Sequence, residues 1–353
     1  MPRGANNKSA VDSTETQQFR EGFNMSHFKR IVMATAVALT ATMTAVAASK
    51  WDMPTPYGDK TFHTVNIREF AKDVEKATNG QLKIVVHSAG SLVKHPEIKN
   101  AVRRGLVPIG EVLMSRLANE DPVFAVDSIP FLATNYDEAA KLWAASRPVV
   151  EKKLAKQGLK LLFAVPWPPQ GIYANKEIKS VADMKGLKMR AYNAATETLA
   201  KLAGAVPTQV EVPDIPTAFS TGRVDAMITS PSTGANTKAW DFVKYFHHTQ
   251  AWLPKNMVVV NAKAFARLPK ETQAKVMEAA KRAEARGWEM SKKETEAKIA
   301  VLKKNGMTIV TPTDELMKGL KEIGQKMTAD WAQKAGADGK AILDAYASLK
   351  GGK

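Results

Sequence analysis

From Lys50 onward, short apolar runs alternate with longer segments whose apolar positions recur every three or four residues, the pattern of an α/β fold. Trp51 to Thr55 reads as a strand and Phe62 to Thr78 as an amphipathic helix, which Asn79-Gly80 ends. Gln81 to His87 is a second strand, and Ser88 to Leu92 a turn. Pro96 sits where a first helical residue belongs, opening a helix through Arg104. Gly105 to Met114 supplies another strand. Beyond Ser128-Ile-Pro-Phe-Leu132 come a helix from Asp137 to Gln157 and a strand from Leu159 to Val165.

The second half repeats the alternation. Leu187 to Met189 is a short strand that delivers Arg190 at its end. A helix from Ala195 to Ala203 stops at Gly204, and Thr208 to Glu211 is strand-like. Ile215 to Thr221 is a short helix closed by Gly222, followed by strands over Val224 to Thr229 and Asn256 to Asn261. Glu271 to about Lys304 contains no proline and is rich in Ala, Lys, Glu and Met, which predicts one long helix. It shows no sustained heptad, so a spine packed across the molecule fits better than a coiled coil. Helices over Asp314 to Ala335 and Lys340 to Leu349 finish the chain.

The N-terminus changes the picture. Ile31 to Ala47 is a short apolar run preceded by His27, Lys29 and Arg30 and ending in Ala45-Val-Ala47-Ala48, the layout of a secretory signal peptide over 25–48. Cleavage after Ala47 or Ala48 and export to the periplasm are expected; a retained anchor would need a longer apolar run. Residues 1–24 are polar and precede Met25, as an over-extended start would.

The 353 residues suffice for two domains. The chain has no cysteine, which excludes thiol catalysis and cysteine-ligated metals. Its net charge is +16, near +14 without the first 47 residues. The lysines alternate with glutamates, as in Lys292 to Lys298, and form no basic stripe with aromatics, so no nucleic-acid partner is expected. The six histidines are dispersed except for His247-His248, a pair that reads as solvated. Neither H-E-x-x-H nor G-x-S-x-G nor a phosphate-binding glycine loop occurs. No catalytic residue, metal site or cofactor is assigned.

Candidate chemistry centres on Arg190. A guanidinium on a strand end is a planar fork suited to a carboxylate; alone it would equally suit a surface ion pair. Its neighbours decide. Ser180 to Arg190, the Pro166-Trp-Pro-Pro-Gln170 segment, Gly90 to Leu92, Ile129 to Leu132 and Thr217 to Ala226 together resemble the solute-binding proteins of TRAP (tripartite ATP-independent periplasmic) transporters. Asp183, Gly186 and Arg190 keep one family element; Gly222, Val224, Asp225 and Ala226 keep another. The resemblance spans the chain from Trp51 to the last helices.

It implies a two-lobed, periplasmic-binding-protein-like α/β fold with a ligand cleft between the lobes, over 49–167 plus 256–295 and 168–255 plus 296–349. It also implies hinge closure on a small organic carboxylate gripped by Arg190, and delivery to TRAP integral membrane subunits. Gln170 stands where sialic-acid-binding relatives carry a second arginine, which argues against sialic acid and for one dominant carboxylate; it could equally be a turn residue. Ile228 replaces a glutamate that helps hold a cation in the α-keto-acid branch, so no metal is expected. Thr229 and Ser230 could bind ligand or cap a strand end. Trp167, Tyr192 and Trp252 are pocket walls or hinge packing, and as walls they point to an aromatic or branched-chain acid. Asn193 and Asn256 are further polar candidates. A receptor for another transporter or a sensor, or a periplasmic enzyme on small acids, are the alternatives; the enzyme would need an acid–base pair beside Arg190.

Overall fold

The computed structural model describes residues 49–351, so the signal-like segment 25–48 and residues 1–24 lie outside the described residues. In chain order the elements are β1 (Ser49–Pro54), α1 (Phe62–Ala77), β2 (Leu82–His87), α2 (His95–Arg104), β3 (Ile109–Leu113), α3 (Tyr136–Lys156), β4 (Leu159–Pro166) and β5 (Gly171–Ala174). There follow β6 (Lys188–Ala191), α4 (Ala194–Leu202), β7 (Val206–Gln209), α5 (Ile215–Ser220), β8 (Ala226–Thr229), α6 (Pro231–Asn236) and β9 (Tyr245–His247). The last are β10 (Lys255–Asn261), α7 (Ala262–Ala266), α8 (Lys270–Lys304), β11 (Thr308–Val310) and α9 (Asp314–Gly351). α9 is broken at Gly336, whose backbone is non-helical, so it reads as two helices, as its sequence predicts.

Two lobes result. In the first, β3, β10 and β4 form an antiparallel sheet beside the parallel pair β1–β2. The second is built on a six-stranded sheet in the order β11-β9-β5-β8-β6-β7. β10 reads Lys-Asn-Met-Val-Val-Val-Asn and is buried throughout, the continuous apolar run of a central strand. β5, β9 and β11 have three or four residues each, too few for a periodicity, and are visible only in their pairings.

Several expected boundaries move. The strand expected over Gly105 to Met114 begins only at Ile109, because Gly105 is spent as the left-handed cap of α2. The strand expected over Thr208 to Glu211 is Val206–Gln209 instead, which leaves Glu211 beyond the sheet. His247 is also corrected: it is fully buried in β9, where its Nε2 accepts from the Ile178 N–H at 2.8 Å.

The chain crosses between lobes at 167–170 and 251–254, and the two crossings are tied to each other. Trp167 N donates to Pro254 O at 2.7 Å, Gln170 N to Trp252 O at 3.0 Å, and Ala251 N to Gln170 O at 3.0 Å. The Ile129-Pro-Phe-Leu132 turn joins this ribbon, since Phe131 N donates to Ala251 O at 2.7 Å. α8 spans both lobes. Asn66 Nδ2 reaches Ala283 O at 2.9 Å and Trp288 Nε1 reaches Ala164 O at 3.1 Å on the first-lobe side. Ser232 Oγ then donates to Glu294 at 2.8 Å on the second. The C-terminal part of α9 returns to α3, with Lys153 bridging Asp121 and Asp338 at 2.7 Å each. Among the described residues no helix is long and apolar enough to cross a membrane.

Gly171 opens the second lobe where β5 meets β9. A Cβ there would stand 2.5 Å from the His247 carbonyl oxygen, a backbone atom that cannot swing aside. Gly171→Ala should therefore cost about 1–3 kcal/mol, read as a lowered urea midpoint at unchanged slope. A wild-type midpoint would show that the crossing ribbon yields freely.

Candidate functional site

Gly186, at a φ of +78° open to glycine, turns the chain into β6, which presents Arg190. The side chain is 2% exposed yet forms no ion pair among the described residues. Its Nε donates to Val210 O at 2.9 Å, and its guanidinium lies 4.9 Å from the Tyr192 ring centroid. Burial lowers its pKa to about 10, partly opposed by the Tyr192, Glu211 and Tyr57 charges. A buried cation without a carboxylate partner carries a desolvation cost that a nearby anion would relieve.

Arg190 lines a small cavity between the lobes. Of the nine candidates read from the sequence, Trp167, Gln170, Arg190, Tyr192, Thr229 and Ser230 share its wall. Asn193, Trp252 and Asn256 do not. Asn193 caps α4, accepting from Thr196 N at 2.8 Å and donating to Ser115 Oγ at 2.7 Å, which turns its amide to structural work. Trp252 lies behind Tyr192 and donates to its hydroxyl at 3.1 Å; Tyr192 in turn donates to Gln170 Oε1 at 3.2 Å. Gln170 is buried, not a solvent-facing turn residue, and its Nε2 returns to Pro168 O at 2.9 Å. This relay fixes the ring that Arg190 stacks on. Ser230 Oγ caps α6 through Thr233 N at 3.0 Å while still lining the cavity.

Asn256 acts from the second layer of the first lobe. Its Oδ1 accepts from Trp167 Nε1 at 3.0 Å and Tyr57 OH at 3.2 Å, and its Nδ2 donates to Glu111 at 3.0 Å. Thr55 Oγ1 donates to the other Glu111 oxygen. Tyr57 and Trp167, edge-to-face at 4.9 Å, are thereby locked as the aromatic wall.

Sequence reasoning missed Tyr57, His95, Leu113, Glu211, Val212, Thr233 and Pro254 on the wall. Glu211 matters most. Its Oε2 meets His95 Nδ1 at 3.1 Å and its Oε1 meets Arg116 Nη2 at 3.1 Å, both partners coming from the other lobe. Arg116 also donates to Tyr192 O at 3.1 Å. The Leu113 N–H donates to His95 Nε2 at 3.3 Å, so the proton of a neutral His95 sits on Nδ1, facing Glu211. Burial favours that neutral form. Burial also raises the Glu211 pKa, but the His95 hydrogen bond and the Arg116 and Arg190 charges outweigh it and hold the carboxyl below its usual range. These contacts close the lobes over the cavity. No sequence signal marked Glu211: the strand expected to include it stops at Gln209 only in the structure.

A profile of the bacterial extracellular solute-binding proteins, family 7 (DctP), matches residues 56–334. The chain belongs to that family. It is a periplasmic TRAP-type solute receptor for small organic acids, the kind that works with TRAP membrane subunits. Its structure is similar to DctP6 of Bordetella pertussis, an extracytoplasmic solute receptor binding pyroglutamic acid (49% identity, TM-score 0.84, 85% of this chain and 100% of that one). It is similar also to a marine-metagenome TRAP solute-binding protein specific for pyroglutamate (41% identity, TM-score 0.84, 86% and 99%). The sialic acid-binding periplasmic protein of Vibrio cholerae is a more distant relative, 21% identical over 235 residues, 66% of this chain and 73% of that protein.

The burial of Glu111 predicts a pH dependence of stability. Burial raises the Glu111 carboxyl from 4.5 to about 7, with the Thr55 and Asn256 hydrogen bonds only partly opposing. Because its folded pKa exceeds the unfolded one, the folded state binds more protons across this window, and stability falls as pH rises from about 4.5 to about 7. A shift of that size corresponds to on the order of 3 kcal/mol. Urea midpoints taken against pH should fall more steeply in wild type than in Glu111→Gln. Parallel curves would show that Glu111 titrates alike in both states.

Proposed function

We propose that this receptor captures pyroglutamate, or a compact cyclic monocarboxylate of the same outline, and hands it to the membrane subunits of a TRAP transporter. The observation that carries the reading is Arg190: a buried guanidinium on the cavity wall without a carboxylate partner among the described residues. A ligand carboxylate supplies the missing charge as a bidentate pair, worth more here than at the surface. Support for the ring comes from the relatives that bind pyroglutamate, at 49% and 41% identity over nearly their full lengths. Tyr57, Trp167 and Tyr192 give a flat ring apolar faces to lie against. Trp252, expected on the wall, stands behind it, and Tyr57 takes its place among three wall aromatics.

The lobes are taken as 49–167 plus 256–295 and 168–255 plus 296–349, with the end of α9 strapped back onto the first. Arg190 holds the acid on the second lobe, and closure brings Tyr57 and Trp167 of the first over it, a population shift driven by contacts to both lobes. Nothing in this cycle requires catalysis.

Purified residues 49–353 should gain about 2.7 kcal/mol of stability from pyroglutamate at a hundred times its Kd, a clear rise in Tm. Arg190→Ala should weaken binding by at least 30-fold, about 2 kcal/mol or more, since it strips one partner from a buried charge pair. Carboxylates that stabilise both proteins equally would move the site away from Arg190.

A further inference from the structure

Glu211 puts a negative charge on the wall of a cavity that takes in an anion. An acidic side chain there works against capture unless it does something for the ligand, and its surroundings show what it has left to give. Oε1 is met by Arg116 and Oε2 by the Nδ1–H of His95, one donor to each oxygen. An ionised carboxylate offers about four acceptor positions and no donor, so acceptor capacity remains on a side chain that lines the cavity.

The wall hydroxyls of Thr229, Tyr57 and Ser230 could accept as well, but Glu211 is the one wall group that accepts with a full negative charge. Gln170 holds its amide to Tyr192 and Pro168, Tyr57 donates to Asn256, and Ser230 donates to Thr233 Oγ1 at 3.2 Å. His95 has both ring nitrogens occupied, by Glu211 and by the Leu113 N–H. The fixed charges lining the cavity are therefore one guanidinium and one carboxylate.

We infer that Glu211 is a specificity-determining residue, which accepts a hydrogen bond from an N–H on the bound monocarboxylate and excludes ligands bearing a second carboxylate. The inference rests on the reading of Arg190 as the carboxylate grip and names the other half of the ligand. A neutral N–H facing Glu211 satisfies one of its free acceptor positions. A second carboxylate, or a ring oxygen in place of N–H, presents lone pairs to lone pairs in a poorly solvated site. The same residue also ties the lobes together. A tie alone would affect all ligands alike, whereas a selective contact changes their ranking.

That difference is the test. Calorimetric titration of residues 49–353 would compare pyroglutamate with its lactone, in which oxygen replaces the ring N–H, and with glutarate, an open dicarboxylate. Wild type should prefer the lactam over both by at least 10-fold. In Glu211→Gln, whose amide can donate as well as accept, the lactam-to-lactone preference should shrink to within about threefold or invert. Glu211→Gln that weakens all three ligands by one common factor would overturn the inference and leave Glu211 as a tie between lobes. Wild type that binds other monocarboxylates through Arg190 but no lactam would overturn it too, with the receptor reading intact. If wild type binds no carboxylate at all, both readings fall together.

Discussion

The structure turns on one buried guanidinium that has no ion pair among the described residues. Arg190 is as deeply buried as the apolar core around it, and the protein gives it a carbonyl and an aromatic face where a carboxylate would ordinarily stand. Stability alone does not favour that arrangement, because desolvating a guanidinium without its counter-ion is costly. The cost is offset when an anion arrives from outside. On the proposed reading, the binding energy of the receptor is stored as an electrostatic deficit in the second lobe.

Much of the remaining polar chemistry keeps that deficit in place and shapes what may fill it. Trp252, Tyr192 and Gln170 form a hydrogen-bonded relay that fixes the ring against Arg190. Glu111 and Asn256 do the same for Tyr57 and Trp167 on the opposite lobe. Both relays start at the crossings between lobes, where 167–170 and 251–254 are bonded to each other. The groups that grip the ligand and the groups that hinge the lobes are thus parts of one network, so capture and closure are physically coupled. Glu211 adds a contact between the lobes, linking to His95 and Arg116 across the mouth.

Much of this was legible in the sequence, and the exceptions have causes. The long helix, the buried strand at Asn256 to Asn261 and the delivery of Arg190 after Gly186 follow from local rules of propensity, burial and turn chemistry. The short strands of the second lobe do not, since three or four residues carry no period. Among polar residues, position along the chain could not separate wall from support. Asn193 and Asn256 look alike in sequence, yet one is spent capping a helix and the other anchors two aromatics. Glu211 was hidden for a third reason. Its role depends on His95 and Arg116, about a hundred residues away, and on a strand that stops two residues before it.

The most direct test is a crystal structure of residues 49–353 grown with pyroglutamate. The account predicts the ligand carboxylate flat against the Arg190 fork, its two oxygens each accepting a hydrogen bond of about 2.7–2.9 Å from the guanidinium, with both lobes closed over the ring. A carboxylate held elsewhere in the cleft, with the guanidinium of Arg190 turned to protein or water, would contradict it.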